Sequence, residues 1–161
     1  MIDTAFNSLS FRGKRMWNYP RNTITRSNSK LKPKTYGAIL CIKNNSYKDV
    51  YALVQGRYTG KWSFPKGHSN EGENPMECMR REVAEETGIV SLPEPIEYIQ
   101  IGYGSYFVFN LPNRLILNPR DTHEIMNTKW VTLDEMEKMV LNADASIYRR
   151  KLKSKICHIS F

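Results

Sequence analysis

Residues 67–89 read Gly-His-Ser-Asn-Glu-Gly-Glu-Asn-Pro-Met-Glu-Cys-Met-Arg-Arg-Glu-Val-Ala-Glu-Glu-Thr-Gly-Ile, and they contain the clearest helix of the chain. Asn74 has the short polar side chain of an N-cap, Pro75 suits the first helical position, and Glu77 stands where a capping-box acid belongs. Met76, Met79, Val83 and Thr87 recur at helical spacing and predict the side that faces the core. Gly88 supplies the C-cap. Glu82, Glu85 and Glu86 are related by i, i+3 and i+4, so they share one face, with Arg81 beside them and Glu73 just before the helix. Three carboxylates on one face repel one another unless something positive lies between them. Hard oxygen donors of this kind suit Mg²⁺ or Mn²⁺. A solvated acidic face is the other reading of such a helix.

Outward from this helix the chain alternates strands and helices. Residues 36–43 form a compact apolar strand candidate, Asn44-Asn45-Ser46 supplies turn chemistry, and residues 49–55 form a second strand, together reading as a hairpin. Residues 60–67 are a loop punctuated by Gly and Pro. Residues 97–101 and 105–111 read as strands with Gly102 and Gly104 at the bend, and 128–132 as a short strand. Thr132 or Asp134 starts an amphipathic helix to about residue 141, and residues 143–156 form a last, strongly basic helix. This order predicts an α/β layered domain over residues 34–161, preceded by an irregular basic arm, 1–33, with a short ordered piece near residues 11–17.

Composition narrows the function classes. The chain has 161 residues, 40% hydrophobic and 25% charged, ordinary for a globular fold. No apolar run approaches the roughly 18 residues of a membrane span, so no membrane partner is expected. Cys41, Cys78 and Cys157 lie far apart without a CxxC pair, which fits a reducing, cytoplasmic compartment and argues against a disulfide framework or a zinc site. The net charge of +8 is unevenly spread: residues 1–36 carry +7, residues 148–161 carry +5 and the middle carries −4. Basic ends around an acidic middle suggest a polyanionic substrate or partner, with solubility as the plainer explanation. The sequence specifies no oligomeric state.

Nine constrained positions then carry a resemblance. Gly67, Glu73 six positions on, and Arg81-Glu82-Val83 with Glu85-Glu86, Gly88 and Ile89 match the box of the Nudix hydrolases at every defining position. The resemblance covers roughly residues 34–145 and implies an α/β/α sandwich with a mixed sheet, the basic arm and basic C-terminal helix lying outside it. It implies cleavage of a pyrophosphate linkage with bound Mg²⁺ or Mn²⁺. On that match Glu82, Glu85 and Glu86 are metal ligands with the carbonyl of Gly67, Arg81 orients the carboxylates, and Glu73 braces loop and helix. Gly67 and Gly88 serve backbone geometry.

The surroundings resemble the mRNA-decapping branch most. Trp62-Ser63-Phe64-Pro65-Lys66-Gly67 is similar to that branch's approach to the box, and His123-Glu124-Ile125 followed by Trp130 is similar to its second block. Glu124 is thereby a further metal ligand or the general base, with a box glutamate, Glu86, as the other catalytic candidate for that role. Lys66, Arg57, Lys61, Trp62 and Tyr103 are the substrate-side candidates, with His68 beside them. Trp17, Tyr19, Tyr103 and Tyr106 are candidates to stack on bases, and the arm and the last helix to hold RNA phosphates. His68 replaces an expected Lys and leans toward hydrolases of dinucleoside polyphosphates and diphosphoinositol phosphates. The arm is too short for the helical regulatory domain of cellular decapping enzymes, which suits a compact version such as a viral one. The expected reaction is removal of the RNA 5′ cap, releasing a methylated guanosine diphosphate and 5′-monophosphate RNA. Hydrolysis of small polyphosphates, nucleoside triphosphates included, is the alternative, and an inactive RNA-binding Nudix module a third.

Overall fold

The computed structural model describes residues 35–44 and 49–159, with side chains through residue 154. The 1–33 arm, with its Trp17 and Tyr19, lies outside the described residues.

Seven strands form one mixed sheet. They are β1 (Thr35–Ile42), β2 (Val50–Gly56), β3 (Trp62–Ser63), β4 (Lys66–His68), β5 (Glu97–Ile101), β6 (Gly104–Asn110) and β7 (Ile125–Thr132). Three helices complete the domain: α1 (Pro75–Thr87), α2 (Leu133–Glu137) and α3 (Ala143–Ile159). The main order is β3-β2-β1-β6-β5, with β4 added to β1 and β7 to β2. β1 and β6 run parallel, and every other pairing is antiparallel.

Alternation along the central strands sends side chains to two apolar layers. Ile39, Cys41, Tyr51, Leu53 and Val108 join a core that Met136, Ala145 and the half-buried Tyr148 cover from α2 and α3. Ala38, Leu40, Phe107 and Phe109 alternate with these and are fully buried, and α1 packs against β1 from its own side. The expected α/β sandwich with a mixed sheet is what forms.

α1 begins and ends as its sequence predicts. Asn74 Oδ1 accepts the N–H groups of Met76 and Glu77, both at 3.0 Å, and Glu77 returns the bond to the Asn74 N–H. Met79, Val83 and Thr87 are buried, while Met76 is only half-buried. Gly88 takes φ 78°, and a side chain there would overlap the Asn118 carbonyl.

Other boundaries moved, each for a tertiary reason. β7 begins three residues earlier than expected because Ile125 and Asn127 also pair with β2, across a register shift at the exposed Met126, and this stretch lacks apolar alternation. The expected β1–β2 hairpin is brief: β1 meets β2 only at Cys41 and Ile42, and β2 gives most of its length to β7. The 60–67 loop contains two strands, since Lys66–His68 pairs with Thr35–Gly37 and Trp62–Ser63 with Val54–Gln55. α2 stops at Glu137 instead of near 141. Its chain is drawn into the sheet edge, where the Trp62 N–H donates to Val140 and the Asn142 N–H to Trp62.

Candidate active site

β1 shares one edge between β4, along Thr35–Gly37, and β2, at Cys41–Ile42. The sheet opens between these partners, and the carboxylate face of α1 lies beside the opening, against β4.

Arg81 organises that face. Its Nε and Nη2 donate to Glu73 at 2.8 and 2.9 Å, its Nη1 to Glu82 at 2.6 Å and Glu85 at 3.1 Å, and Nη2 also to the His68 carbonyl at 2.9 Å. Only the fork of a guanidinium reaches so many acceptors at once. The Arg81 bonds, with a further N–H from Asn70, hold the Glu73 carboxyl down at about 2. Glu73 thereby links the Asn70 N–H of the loop to Arg81 on the helix. A side chain at Gly67 would overlap the Glu82 carboxylate where it stands, so that carboxylate would have to shift. Burial raises the Glu82 carboxyl above its ordinary value, with Arg81 opposing.

Glu86 differs from its neighbours. It is only 8% exposed, and its Oε2 accepts the Lys66 N–H at 2.9 Å. Burial pushes its carboxyl up to about 8 against that hydrogen bond, and the like charges of Glu82, Glu124 and Asp121 add to the rise. Helical spacing places Glu86 on one face with Glu82 and Glu85, and the structure makes it the buried one of the three.

Glu124 arrives from elsewhere in the chain. The N–H groups of Arg120 and Asp121 donate to the Glu85 carbonyl, and that of Asn118 to Thr87, so this loop is stitched to the C-terminal end of α1. Asp121 Oδ1 accepts the N–H groups of His123 and Glu124 at 2.9 and 3.0 Å. From the turn after β2, the Arg57 guanidinium donates to the Thr122 carbonyl at 3.0 Å and the Ile125 carbonyl at 3.4 Å, and its backbone N–H to the Glu124 carbonyl at 2.7 Å. Glu86 and Glu124 thereby line one cleft of about 400 Å³ with Arg57, Tyr58, Lys61 and Ser63.

The substrate-side candidates separate into two groups. Lys61 and Arg57 line the cleft, although Arg57 spends its guanidinium on the 122–125 loop. Lys66, Trp62 and Tyr103 are not among its lining residues. The Lys66 ammonium is paired at 2.9 Å with Asp144, which is 4% exposed and also accepts the Tyr106 hydroxyl. Trp62 packs half-buried against the core. Tyr103 is exposed at the β5–β6 turn, and the His68 side chain is exposed. Tyr106 is fully buried, which removes it as a base-stacking residue. On α3, Arg150 and Lys151 are exposed, Lys153 pairs with Glu137, and Arg149 turns inward to the Met136 carbonyl.

Among the described residues no three His, Cys, Asp or Glu side chains converge closely enough to hold an ion as they stand. Their chemistry nonetheless fits a hard cation. Each of the three α1 carboxylates commits one oxygen to a donor: Glu82 Oε1 and Glu85 Oε2 to Arg81, Glu86 Oε2 to the Lys66 N–H. The other oxygens remain for a ligand role, and oxygen donors of this kind suit Mg²⁺ or Mn²⁺.

A family model described as the NUDIX domain matches residues 33–151. The chain is 36% identical over 111 residues to the m7GpppN-mRNA hydrolase dcap-2 of Caenorhabditis elegans, covering 63% of this chain and 14% of that protein. It is 32% identical over 92 residues to the mRNA-decapping enzyme subunit 2 of Arabidopsis thaliana, covering 53% and 25%. The chain thus spans a quarter or less of the length of either relative. The crystal structure of a C. elegans Ap4A hydrolase binary complex superposes with a TM-score of 0.55 at 24% identity, over 79% of this chain and 99% of that one. At that identity the likeness is one of fold.

Proposed function

The chain belongs to the NUDIX domain family, and from that premise we propose that it is a pyrophosphohydrolase, dependent on Mg²⁺ or Mn²⁺, that removes the 5′ cap of RNA. The observation that carries the reading is the convergence of Glu86 and Glu124, 38 residues apart in sequence, on one cleft beside the Arg81-held carboxylates. Nudix hydrolases generally need divalent metal ions. A bound metal supplies charge neutralisation on the phosphate oxygens and a more acidic water.

The chain's own residues divide the remaining work. Glu82, Glu85 and Glu86 would hold the metal through oxygens that Arg81 and the Lys66 N–H leave free, and the Gly67 carbonyl would be a further ligand. Arg81 fixes two of these carboxylates against mutual repulsion. Glu124 accepts the proton of the attacking water. Its carboxylate has no hydrogen-bond or ion-pair partner among the described residues, while Asp121 and Arg57 fix its backbone. Lys61 lines the same cleft and supplies a cation for the leaving phosphate. The RNA reading adds the names of the decapping relatives and the basic charge of residues 1–36 and 148–161. Arg150 and Lys151 are the exposed α3 cations for RNA phosphates.

Product analysis decides between substrates. Cap-labelled RNA, free cap dinucleotide, a dinucleoside polyphosphate and a diphosphoinositol phosphate are each offered with Mg²⁺ or Mn²⁺. Release of methylated guanosine diphosphate from RNA in preference to the others is the expected result. Preference for a small polyphosphate would retain the chemistry and discard the RNA substrate. No turnover of any would sink the hydrolase.

A further inference from the structure

The most buried carboxylate of any ion pair among the described residues lies outside the cleft, and the chemistry above does not use it. Asp144, in the first turn of α3, is 4% exposed. One of its oxygens, Oδ2, accepts both the Lys66 ammonium at 2.9 Å and the Tyr106 hydroxyl at 2.5 Å. The β5–β6 turn makes room for the carboxylate by placing glycines where it passes. A Cβ at Gly102 would stand 2.6 Å from Asp144 Oδ1, and one at Gly104 would stand 2.8 Å from Oδ2. Three parts of the fold thus receive this charge: β4 through Lys66, β6 through Tyr106, and the turn before β6.

Burying charge in this way does little for stability as such. Desolvation offsets much of the attraction in a buried pair, and apolar side chains of similar volume often hold a fold as well or better. What a charged hydrogen bond adds over apolar contact is direction, since the ammonium must lie where the carboxylate is. Lys66 is the residue so directed. Its side chain reaches α3, while its backbone N–H donates to Glu86 Oε2, on α1, at 2.9 Å. That N–H is the one hydrogen-bond donor to Glu86 among the described residues. Gly67, whose carbonyl is the expected further ligand, is the next residue in the chain. A single residue therefore joins the buried anchor on α3 to the most buried carboxylate of the metal site.

We propose that Asp144 is a positioning residue for the metal site and acts through Lys66. It fixes the Lys66–Gly67 segment so that one Glu86 oxygen stays engaged and the other is left for the ion. Lys66 then works through its main chain, with its ammonium engaged by α3 and absent from the cleft lining. Docking of α3 is the plainer role for the pair, and Tyr106 separates the two. Its hydroxyl bonds the same carboxylate from β6 and not from β4, so its loss loosens the anchor without releasing Lys66. The assignment rests on the pyrophosphohydrolase reading and deepens it, because it gives α3 a part in holding the ligands of the ion.

Mn²⁺ is titrated into the full chain, and the free ion is read by electron paramagnetic resonance. The wild type is compared with Asp144→Asn, Lys66→Met, their double variant and Tyr106→Phe. Asp144→Asn keeps the shape and an acceptor for Tyr106 but loses the charge that holds the ammonium. It should weaken Mn²⁺ binding about tenfold. The double variant should weaken it no further, because both changes break one link. Lys66→Met leaves a buried carboxylate without its cation; should it fail to fold, the double variant, which carries neither charge, decides. Tyr106→Phe should lower the Tm and keep Mn²⁺ affinity within about twofold of wild type. In turnover of cap-labelled RNA, Asp144→Asn should need about tenfold more Mn²⁺ for half-maximal rate and recover most of its kcat at saturation. Four results overturn the assignment: wild-type affinity in Asp144→Asn, a loss in the double variant beyond that of Asp144→Asn, equal weakening in Tyr106→Phe, or a wild type that binds no Mn²⁺. The hydrolase reading fails separately, by absence of turnover with every pyrophosphate substrate, and the Mn²⁺ titrations then still decide Asp144.

Discussion

Arg81 shows how much one side chain can be asked to do. It joins the loop before α1, through Glu73 and the His68 carbonyl, to two of the box carboxylates. Arg81→Lys keeps a charge but loses the fork, so turnover should fall about 10–100-fold while the circular dichroism spectrum stays unchanged. Activity within twofold of wild type would mean that the carboxylates do not need the guanidinium. Glu86 makes a different prediction. Burial holds its carboxyl up at about 8, against about 4.3 in an unfolded chain. Between those values the folded metal-free protein keeps a proton that the unfolded chain has lost. Its contribution to stability therefore declines as pH rises from about 4.3 to about 8, and is level above that. In EDTA, Glu86→Gln should gain in Tm over the wild type as pH is raised from 5 to 9, and Mg²⁺ should raise the wild-type Tm more at pH 9 than at pH 6. A constant difference across that range would contradict the burial. At this scale the sequence shows Arg81 and the glutamates, because helical spacing puts them together. It gives no sign of Asp144 or of Lys66 turning toward it, since that pair spans 78 residues and depends on how α3 docks.

Among the elements, α1 was legible because its signals are local. The Asn74 cap, Pro75, the Glu77 box and the Gly88 stop all act within a few residues. Replacing Asn74 by Ala removes the acceptor for two N–H groups, and should lower the unfolding free energy by about 1 kcal/mol in urea melts. A difference below a few tenths would place those N–H groups in water without loss. β7, β4 and the early end of α2 were not legible, and their causes are not local. β7 begins at Ile125 because β2 offers a partner there; α2 ends early because residues 140–142 bond to Trp62. Trp62 itself looked like a substrate contact next to a Lys-Gly motif, yet the pairing of β3 with β2 directs it into the core.

For the whole molecule, the sheet between two helical layers also determines the chemistry of the thiols. Cys41 and Cys78 are buried, and burial pushes their thiols up to about 11 and about 12. Few thiolates form at pH 8, and those are shielded. A Cys157→Ser variant should consume almost no thiol reagent when native and two equivalents in denaturant; fast labelling of the native protein would contradict the packing. The layered architecture was readable from element order and apolar alternation, whereas the opening at the edge of β1 was not, because it depends on which strands divide that edge. The β2–β7 pairing that accompanies it has a consequence in time. Gly56 must wait for Ile125, and Val50 for Thr132, so most of this pairing closes loops of seventy residues or more. Long closures slow folding. A ribosome that has released only the box helix has made the box carboxylates without Glu124, and a chain cut short well before β7 should lack the proposed hydrolysis however well α1 has formed. Competence arrives late in synthesis and all at once.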